Sequence, residues 1–322
     1  MSLTIPQKSL AVVIDPLPLL NVKKDSTISM MEAAQRRDWN VYAMTLDDLF
    51  VDFSVPMARV QQVHIDRKRD PFAKILANEV KKLSSFDFIL MRKDPPFNME
   101  YIYATAILDL ANSAKTLVSN RPSSLRLFNE KFLINMFADF MPPSLFTRNR
   151  HMMNEFLDHH GKCVIKPMDV MGGQGVFVIN EKDSNRNVIL ETLTEKFTKT
   201  IVVQKFLPEI SEGDRRILII GGNPVPHVLV RKPSATDHRG NLAAGATAEF
   251  GEVSIHERKV IEYIRPFLLQ HGLHLVGLDM IGSYITEINF TSPTGLVEVG
   301  KHAGITIEDE YIKYLESLYS SN

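Results

Sequence analysis

Short apolar, β-branched runs alternate with helical segments through the first 120 residues, and this alternation restricts the chain to an α/β fold. The run Ser9 to Asp15 ends in an acid, as a buried strand does at the rim of a sheet. A helix follows from Thr27 to Arg37, behind a predicted Ser26 cap. The other segments are strands at 41–45, 86–91 and 116–119 and a helix near 99–112. We therefore expect a parallel sheet, with ligands at the carboxyl ends of its strands.

The loop Met91 to Phe97 leaves one of these strands with a cation pair, an acid and two stiffening prolines. Arg92 has the planar fork that binds a carboxylate through two hydrogen bonds. A solvated turn explains the same residues equally well, because charged loops are common on the rims of α/β sheets. On the residues alone, both interpretations stay open.

The pattern changes after residue 121. Lys131 falls in a short helix predicted over Asn129 to Ala138, and the prolines at 142 and 143 mark a linker. The glycine loop Met168 to Gly175 then lies between two predicted strands, 164–167 and 176–180. This order excludes a Walker loop and a dinucleotide fingerprint, since both open a helix.

A flexible hairpin of this kind can fold over a triphosphate and donate backbone N–H groups to it. Lys166, beside the loop, would add a point charge. An ordinary glycine-rich turn is the plainer interpretation of the loop taken alone.

The chain beyond residue 200 has mixed α+β character. The segment Lys205 to Glu209 leaves a strand, and its apolar residues could cover an adenine ring. A strand end stopped by proline explains that segment equally well. Arg216 and Arg231 lie inside predicted strands, and buried arginine requires an acid or anion nearby. The segment 232–248 has no periodicity, which is typical of a lid or a disordered link.

The stretch Leu275 to Gly295 is predicted to form a β-hairpin that turns at Gly282-Ser283. Glu287 and Asn289 are two residues apart, so their side chains point to the same face. Asp279 lies on the partner strand. These oxygen-bearing groups suit Mg²⁺, although a hairpin with polar residues facing water is the alternative.

Composition excludes several classes of protein. Thirty-seven basic and 38 acidic residues leave a net charge of -1, so no global field favours nucleic acid or an anionic membrane. No apolar run approaches the length of a membrane span, and the first residues lack the apolar core of a signal peptide, so we expect a cytoplasmic protein. Cys163 is the one cysteine, which excludes an intrachain disulfide.

The order of these features resembles the ATP-grasp ligases, and longer strings resemble one family, bacterial glutathione synthetase. The strings run from the N-terminal loops to the hairpin and cover nearly the whole chain. They are 21–26 (NVKKDS), 89–97 (ILMRKDPPF), 165–167 (IKP), 171–173 (MGG), 239–245 (RGNLAAG), 276–279 (VGLD), 286–289 (TEIN) and 291–295 (TSPTG).

This resemblance implies an N-terminal pre-ATP-grasp domain (1–121), a small subdomain with the glycine loop (122–200) and a C-terminal subdomain with the lid and metal hairpin (201–322). It also implies roles for individual residues. Nucleotide contacts are expected from Lys131, Lys166, Gly172, Gly173, Gln174, Gly175, Gln204, Lys205, Phe206, Leu207 and Asp214. Substrate contacts are expected from Arg92, Asp94, Asn241, Ser292, Pro293, Thr294 and Gly295. Metal ligation is expected from Asp279, Glu287 and Asn289, and catalysis from Arg216, Arg231 and Arg239.

The activity implied is the joining of γ-glutamylcysteine to glycine, driven by ATP through an acyl phosphate. Mg²⁺, with Mn²⁺ as an alternative, and a homotetramer belong to the same expectation. The chain departs from the family pattern in the first part of the lid, at Ala246-Thr247 and at Val297. Another amine acceptor or acyl donor, or a regulatory protein that binds ATP without turnover, therefore remain as alternatives.

Overall fold

Three β-sheets form the frame of the structure, a computed structural model that describes residues 7–234 and 245–320. The first sheet has seven strands in the order β3-β4-β2-β1-β6-β7, with β5 on the other edge of β4. Its strands are β1 Ser9–Val13, β2 Asn40–Met44, β3 Leu49–Asp52, β4 Val55–Ile65, β5 Ala73–Lys82, β6 Phe88–Met91 and β7 Leu117–Ser119.

The expectation of a parallel N-terminal sheet is wrong for three of these strands. β1, β2, β6 and β7 pair in parallel, whereas β3, β4 and β5 join the sheet antiparallel. In β5 the polar residues are interspersed with exposed apolar ones such as Leu76 and Val80, so its sequence lacks the buried apolar run that revealed the other strands. The sheet is therefore mixed.

Eight α-helices flank the sheets within the described ranges. They are α1 Ser26–Gln35, α2 Met99–Ala111, α3 Pro122–Leu127, α4 Arg150–His160, α5 Arg186–Leu193, α6 Ile255–Gln270, α7 Leu296–Ala303 and α8 Ile307–Ser320. Asp25, and not Ser26, caps α1, because its carboxylate accepts from the amides of Thr27 and Ile28 at 2.7 and 2.9 Å.

The second sheet is small and antiparallel and encloses a core of its own. Its order is β10-β9-β11-β8, from strands β8 Ser144–Thr147, β9 Lys162–Pro167, β10 Phe177–Asn180 and β11 Ile201–Lys205. Cys163 is fully buried there, where the apolar surroundings raise the pKa of its thiol to about 11. The glycine loop joins β9 to β10, as the sequence predicts.

The third sheet carries the predicted hairpin. Its order is β14-β13-β12-β15-β16, from strands β12 Asp214–Ile220, β13 Asn223–Lys232, β14 Thr247–Glu252, β15 Leu275–Ile281 and β16 Tyr284–Asn289. All neighbours are antiparallel, and Asp279 lies directly opposite Glu287. The hairpin is therefore confirmed, in the register that brings these two acids together.

The C-terminal helix ties the third sheet back to the first. Side chains of α8 share a core with β1 and α1, and Glu316 pairs with Lys8 and Arg37 at 3.3 and 2.7 Å. We propose the three-part division expected from the sequence, with the second boundary moved beyond Lys205 because β11 belongs to the second sheet. In the described parts of the chain, no helix is long and apolar enough to span a membrane.

His274 links stability to pH. Burial, with Arg121 nearby, lowers its pKa to about 4 from the ordinary 6.5, and its ring lies 3.1 Å from the Tyr314 hydroxyl. The imidazole of His274 binds its second proton more tightly in the unfolded chain than in the folded one. We therefore expect the free energy of unfolding to fall as pH drops from 6.5 toward 4, by up to roughly 3 kcal/mol. Denaturant titrations across this pH range measure the loss.

A His274→Gln variant serves as the comparison, because glutamine keeps a polar group near Tyr314 but does not titrate. The difference in unfolding free energy between parent and variant should shrink as the pH is lowered. A difference that is constant from about pH 7.5 to about pH 4.5, a range of about three units that includes the ordinary histidine pKa, would show that His274 is not the linked group.

Candidate active site

A cleft of about 1030 Å³ opens between the second and third sheets, closed at one end by loops of the first. It gathers most of the residues expected in the site. Those lining it are Asp94, Lys131, Lys166, Gly172, Gly173, Gln174, Gln204, Lys205, Phe206, Leu207, Asp214, Arg216, Arg231, Asp279, Glu287, Asn289, Ser292, Pro293, Thr294 and Gly295. Arg92 and Gly175 are not among the residues that line the cleft, and Arg239, Asn241 and most of the predicted lid fall outside the described residues.

Asp279 is the centre of a buried ion cluster. β12 and β15 pair with Arg216 opposite Asp279, so the guanidinium holds both carboxylate oxygens, Nη2 to Oδ2 being 2.7 Å. Arg231 donates from Nη2 to the same Oδ2 at 2.9 Å and to Asp214 at 2.6 Å. The acids that the strand arginines require are therefore present.

The electrostatics of this cluster follow from burial and charge. Burial acts to raise the pKa of Asp279, but the charges of Arg216 and Arg231 outweigh it and hold that pKa well below its usual range. Among the described residues, Asp214 has one direct arginine partner, Arg231, and burial raises its pKa. Burial also lowers the pKa of Lys166. Lys131, Arg216 and Arg231, which are buried in this cleft, can attract an anionic ligand.

Lys131 reaches the cluster from a turn, so its predicted position on a helix is wrong. The Asn129 side chain accepts from the Lys131 and Phe132 amides at 3.0 and 3.1 Å, and a 3₁₀ segment, Leu133–Phe140, begins only afterwards. The Lys131 ammonium lies 3.3 Å from Glu287 Oε1 and donates to the Val170 carbonyl at 2.6 Å. It therefore joins the glycine loop to the hairpin.

The glycine loop has the backbone conformation that its composition predicts. Gly172, Gly173 and Gly175 have φ of 67°, 76° and 65°, in the left-handed region that favours glycine. A Cβ at Gly172 would meet open space, whereas one at Gly175 would lie 2.9 Å from Pro167. Gly172 thus faces the cleft, and Gly175 is required for packing.

The strand end proposed to cover adenine lines the cleft beside Lys166, which donates to Gln204 Oε1 at 3.0 Å. The backbone N–H of Phe206 donates to the Lys162 carbonyl at 3.0 Å. The Lys162 ammonium lies 3.8 Å from the centre of the Phe206 ring. The Phe206 amide is therefore used within the fold.

The opposite end of the cleft joins the first sheet to the segment 292–295. Arg92 is buried and donates to Thr27 Oγ1 at 3.1 Å and to the Pro293 carbonyl at 3.0 Å. Burial raises the pKa of Asp94, which accepts a hydrogen bond from Ser292. Arg92 thus supports this wall, and Asp94 and Ser292 face the cleft.

Glu130 belongs to the site but escapes sequence reasoning. It is 3% exposed, and Oε1 accepts from the Phe290 and Thr291 amides at 2.6 and 2.7 Å. Burial and the charge of Glu287 raise its pKa. It fixes the end of β16 against the turn that carries Lys131, and its only sequence signal is its adjacency to that lysine.

The predicted metal ligands fit a hard cation. Two carboxylates and an amide meet on the cleft side of the hairpin, and Asn289 donates its Nδ2 to Asp279 at 3.1 Å and to Gly277 at 3.0 Å. Because the nitrogen of this amide makes both hydrogen bonds, the amide oxygen of Asn289 remains available as a ligand for a cation. In the described ranges, no group of three or more His, Cys, Asp or Glu residues that could hold a metal ion is found.

The chain is similar to known proteins over nearly its whole length. Sequence profiles described as "Prokaryotic glutathione synthetase, N-terminal domain" and "ATP-grasp domain" match residues 9–126 and 130–304. Relatives named glutathione synthetase from Vibrio vulnificus and Pseudomonas aeruginosa are 40% and 41% identical, over 95% and 94% of this chain and 96% and 95% of theirs. One from Nitrosomonas europaea is 42% identical over 95% of this chain and 97% of its own.

Two solved structures share the fold at low identity. The ATP-grasp ligase PsnB, complexed with a minimal precursor, has a TM-score of 0.65 at 17% identity over 97% of this chain and 99% of its own. The D-cycloserine synthetase DcsG has a TM-score of 0.65 at 14% identity, with the same coverage. Profiles and relatives together cover nearly the full length, and the chain belongs to the prokaryotic glutathione synthetase family of ATP-grasp proteins.

Proposed function

We propose that this chain is a glutathione synthetase that joins the cysteinyl carboxylate of γ-glutamylcysteine to the amine of glycine. ATP phosphorylates the carboxylate, the amine attacks the acyl phosphate, and ADP and phosphate are released. The observation that carries the proposal is the convergence of Lys131, Lys166, Arg216 and Arg231 with Asp279 in one cleft of a family member.

The nucleotide is proposed to lie between the second and third sheets. Lys131 and Lys166 would contact its phosphates, because the buried Lys131 and the half-buried Lys166 both line the cleft beside the glycine loop. Gly172 to Gly175 would cover the phosphates with backbone N–H groups. Gln204 to Leu207 would flank the adenine, and Asp214 would contact the ribose.

Asp279, Glu287 and Asn289 are proposed to hold Mg²⁺, with Mn²⁺ as an alternative. When bound, the ion would neutralise phosphate charge as it develops during transfer. Lys131 lies beside Glu287, so the same lysine is placed to exchange a carboxylate contact for a phosphate contact.

The reacting carboxylate is proposed to lie near Arg216 and Arg231. Both guanidinium groups are held rigidly by Asp279, so they can stabilise an oxyanion without reorganising during the reaction. The dipeptide would extend toward Asp94 and the segment 292–295, with Arg92 supporting that wall. Arg239 and Asn241 remain proposed contacts in the lid.

A homotetrameric assembly and a cytoplasmic location complete the proposal. Both rest on family membership.

ADP formation in the presence of Mg²⁺, with each substrate omitted in turn, tests the function. We expect ADP to form steadily only when γ-glutamylcysteine and glycine are both present, because the acyl phosphate is consumed by the amine. Replacing glycine with other amino acids tests a changed acceptor. The proposal would be overturned if ADP forms at the same rate without γ-glutamylcysteine and glycine, or if another pair of substrates gives a higher rate than this pair.

A further inference from the structure

Glu298 lines the cleft from the first turn of α7, and its Oε2 is buried without a hydrogen-bond partner among the described residues. An unpaired buried carboxylate oxygen is costly, so such a group requires an explanation. A carboxylate also stabilises the first turn of a helix through the helix dipole, but that effect does not require a buried position in a cleft.

The other acids around the cleft already have partners. Arginines hold Asp279 and Asp214, Lys131 holds Glu287, and the rest bind protein amides, a hydroxyl or a lysine. Those remaining are Asp25 on Thr27 and Ile28, Asp94 on Ser292, Glu130 on Phe290 and Thr291, and Asp169 at 3.8 Å from Lys199. Asp214 Oδ1 also lacks a hydrogen-bond partner, but that carboxylate is paired with Arg231 through Oδ2. Glu298 is therefore the cleft acid left without a partner among the described residues, and a cation from outside them can pair with it.

Its position places that cation near the reacting groups. Gly295, which precedes α7, packs on the stem of Arg216, since an added Cβ would lie 3.8 Å from Arg216 Cγ. Helical side chains lean toward the N-terminus of their helix, so Glu298 projects over Gly295. It thus flanks the arginine proposed to hold the reacting carboxylate.

We propose that Glu298 is a specificity residue that binds the ammonium group of the amine acceptor. Resting on the proposed function, that acceptor is glycine, which approaches as a zwitterion. A charge-assisted hydrogen bond from its ammonium would pair Oε2 and hold the nitrogen beside the acyl carbon, which the nitrogen attacks as the neutral amine after it has lost a proton to solvent.

Glu298→Gln tests this role, since glutamine keeps the shape and removes the charge. We expect the KM for glycine to rise at least about 10-fold, the loss typical of a hydrogen bond to a charged group, with the KM for ATP and dipeptide nearly unchanged. Trapping with hydroxylamine, which is neutral near pH 7, should still give the acyl hydroxamate at close to the parent rate.

Lys301→Gln, an exposed change of one charge on the same helix, is the matched control and should leave all three KM values unchanged. An unchanged KM for glycine in Glu298→Gln, or an equal rise for all substrates, would overturn the role. If the unsubstituted enzyme does not use glycine as an acceptor, the proposed function fails. The same KM comparison is then made with the amine that the enzyme does use.

Discussion

Replacing Glu287 with lysine is expected to lower ATP-dependent turnover by about 100- to 1000-fold, while the protein stays folded. The change would place a cation where the metal is proposed to bind, beside Lys131, which lies 3.3 Å from the Glu287 carboxylate. The Glu287 side chain is 23% exposed, so a lysine can reach solvent without disrupting the core. Turnover and the thermal unfolding temperature are measured on the same preparation.

Glu155→Lys is the control, because it makes the same charge reversal on α4, where Glu155 is 65% exposed beside His151. It should keep the parent's turnover. Activity in Glu287→Lys within about 10-fold of the parent would contradict the metal assignment, because loss of a charge-stabilising group typically costs about 100- to 1000-fold.

Replacing Asp279 with asparagine is expected to destabilise the fold as well as remove activity. The carboxylate is the shared partner of Arg216 and Arg231, and all three side chains are buried. Removing one partner of a buried ion cluster leaves uncompensated charge, which typically costs about 3–5 kcal/mol. Denaturant titration at neutral pH measures this loss.

Asp309→Asn is the matched comparison, since it removes the same group from a surface ion pair, 3.1 Å from Arg36. Exposed pairs contribute about 0–1 kcal/mol, so a small effect is expected. Equal losses in the two variants would show that the Asp279 cluster adds nothing beyond a surface pair.

The hairpin proposed to hold the metal is predictable from the sequence, because the pattern that specifies it lies within one short stretch of the chain. Side chains alternate along strands, so the spacing of Glu287 and Asn289, with Asp279 on the partner strand, is enough to bring the three together. The partner of Asp279 is not predictable in this way, because Arg216 comes from a strand 63 residues earlier and is set by the β12–β15 register. Pairing between distant strands leaves no short-range pattern.

Two other differences have local physical causes. β5 carries lysines and exposed side chains on both faces, so it has no apolar run to reveal it, and the mixed character of the first sheet is missed. The predicted helix around Lys131 fails because the Asn129 side chain competes for the next backbone amides and makes a turn. Most of the site residues expected from the sequence nevertheless line one cleft.

The most direct test of the central claim uses γ-glutamylcysteine labelled with ¹⁸O in its cysteinyl carboxylate, incubated with glycine and ATP in the presence of Mg²⁺. If the carboxylate is activated as an acyl phosphate, mass spectrometry should find the tripeptide together with inorganic phosphate that carries ¹⁸O, in equal amounts. Tripeptide with unlabelled phosphate would contradict the acyl-phosphate route, and the absence of tripeptide would contradict the assignment as a glutathione synthetase.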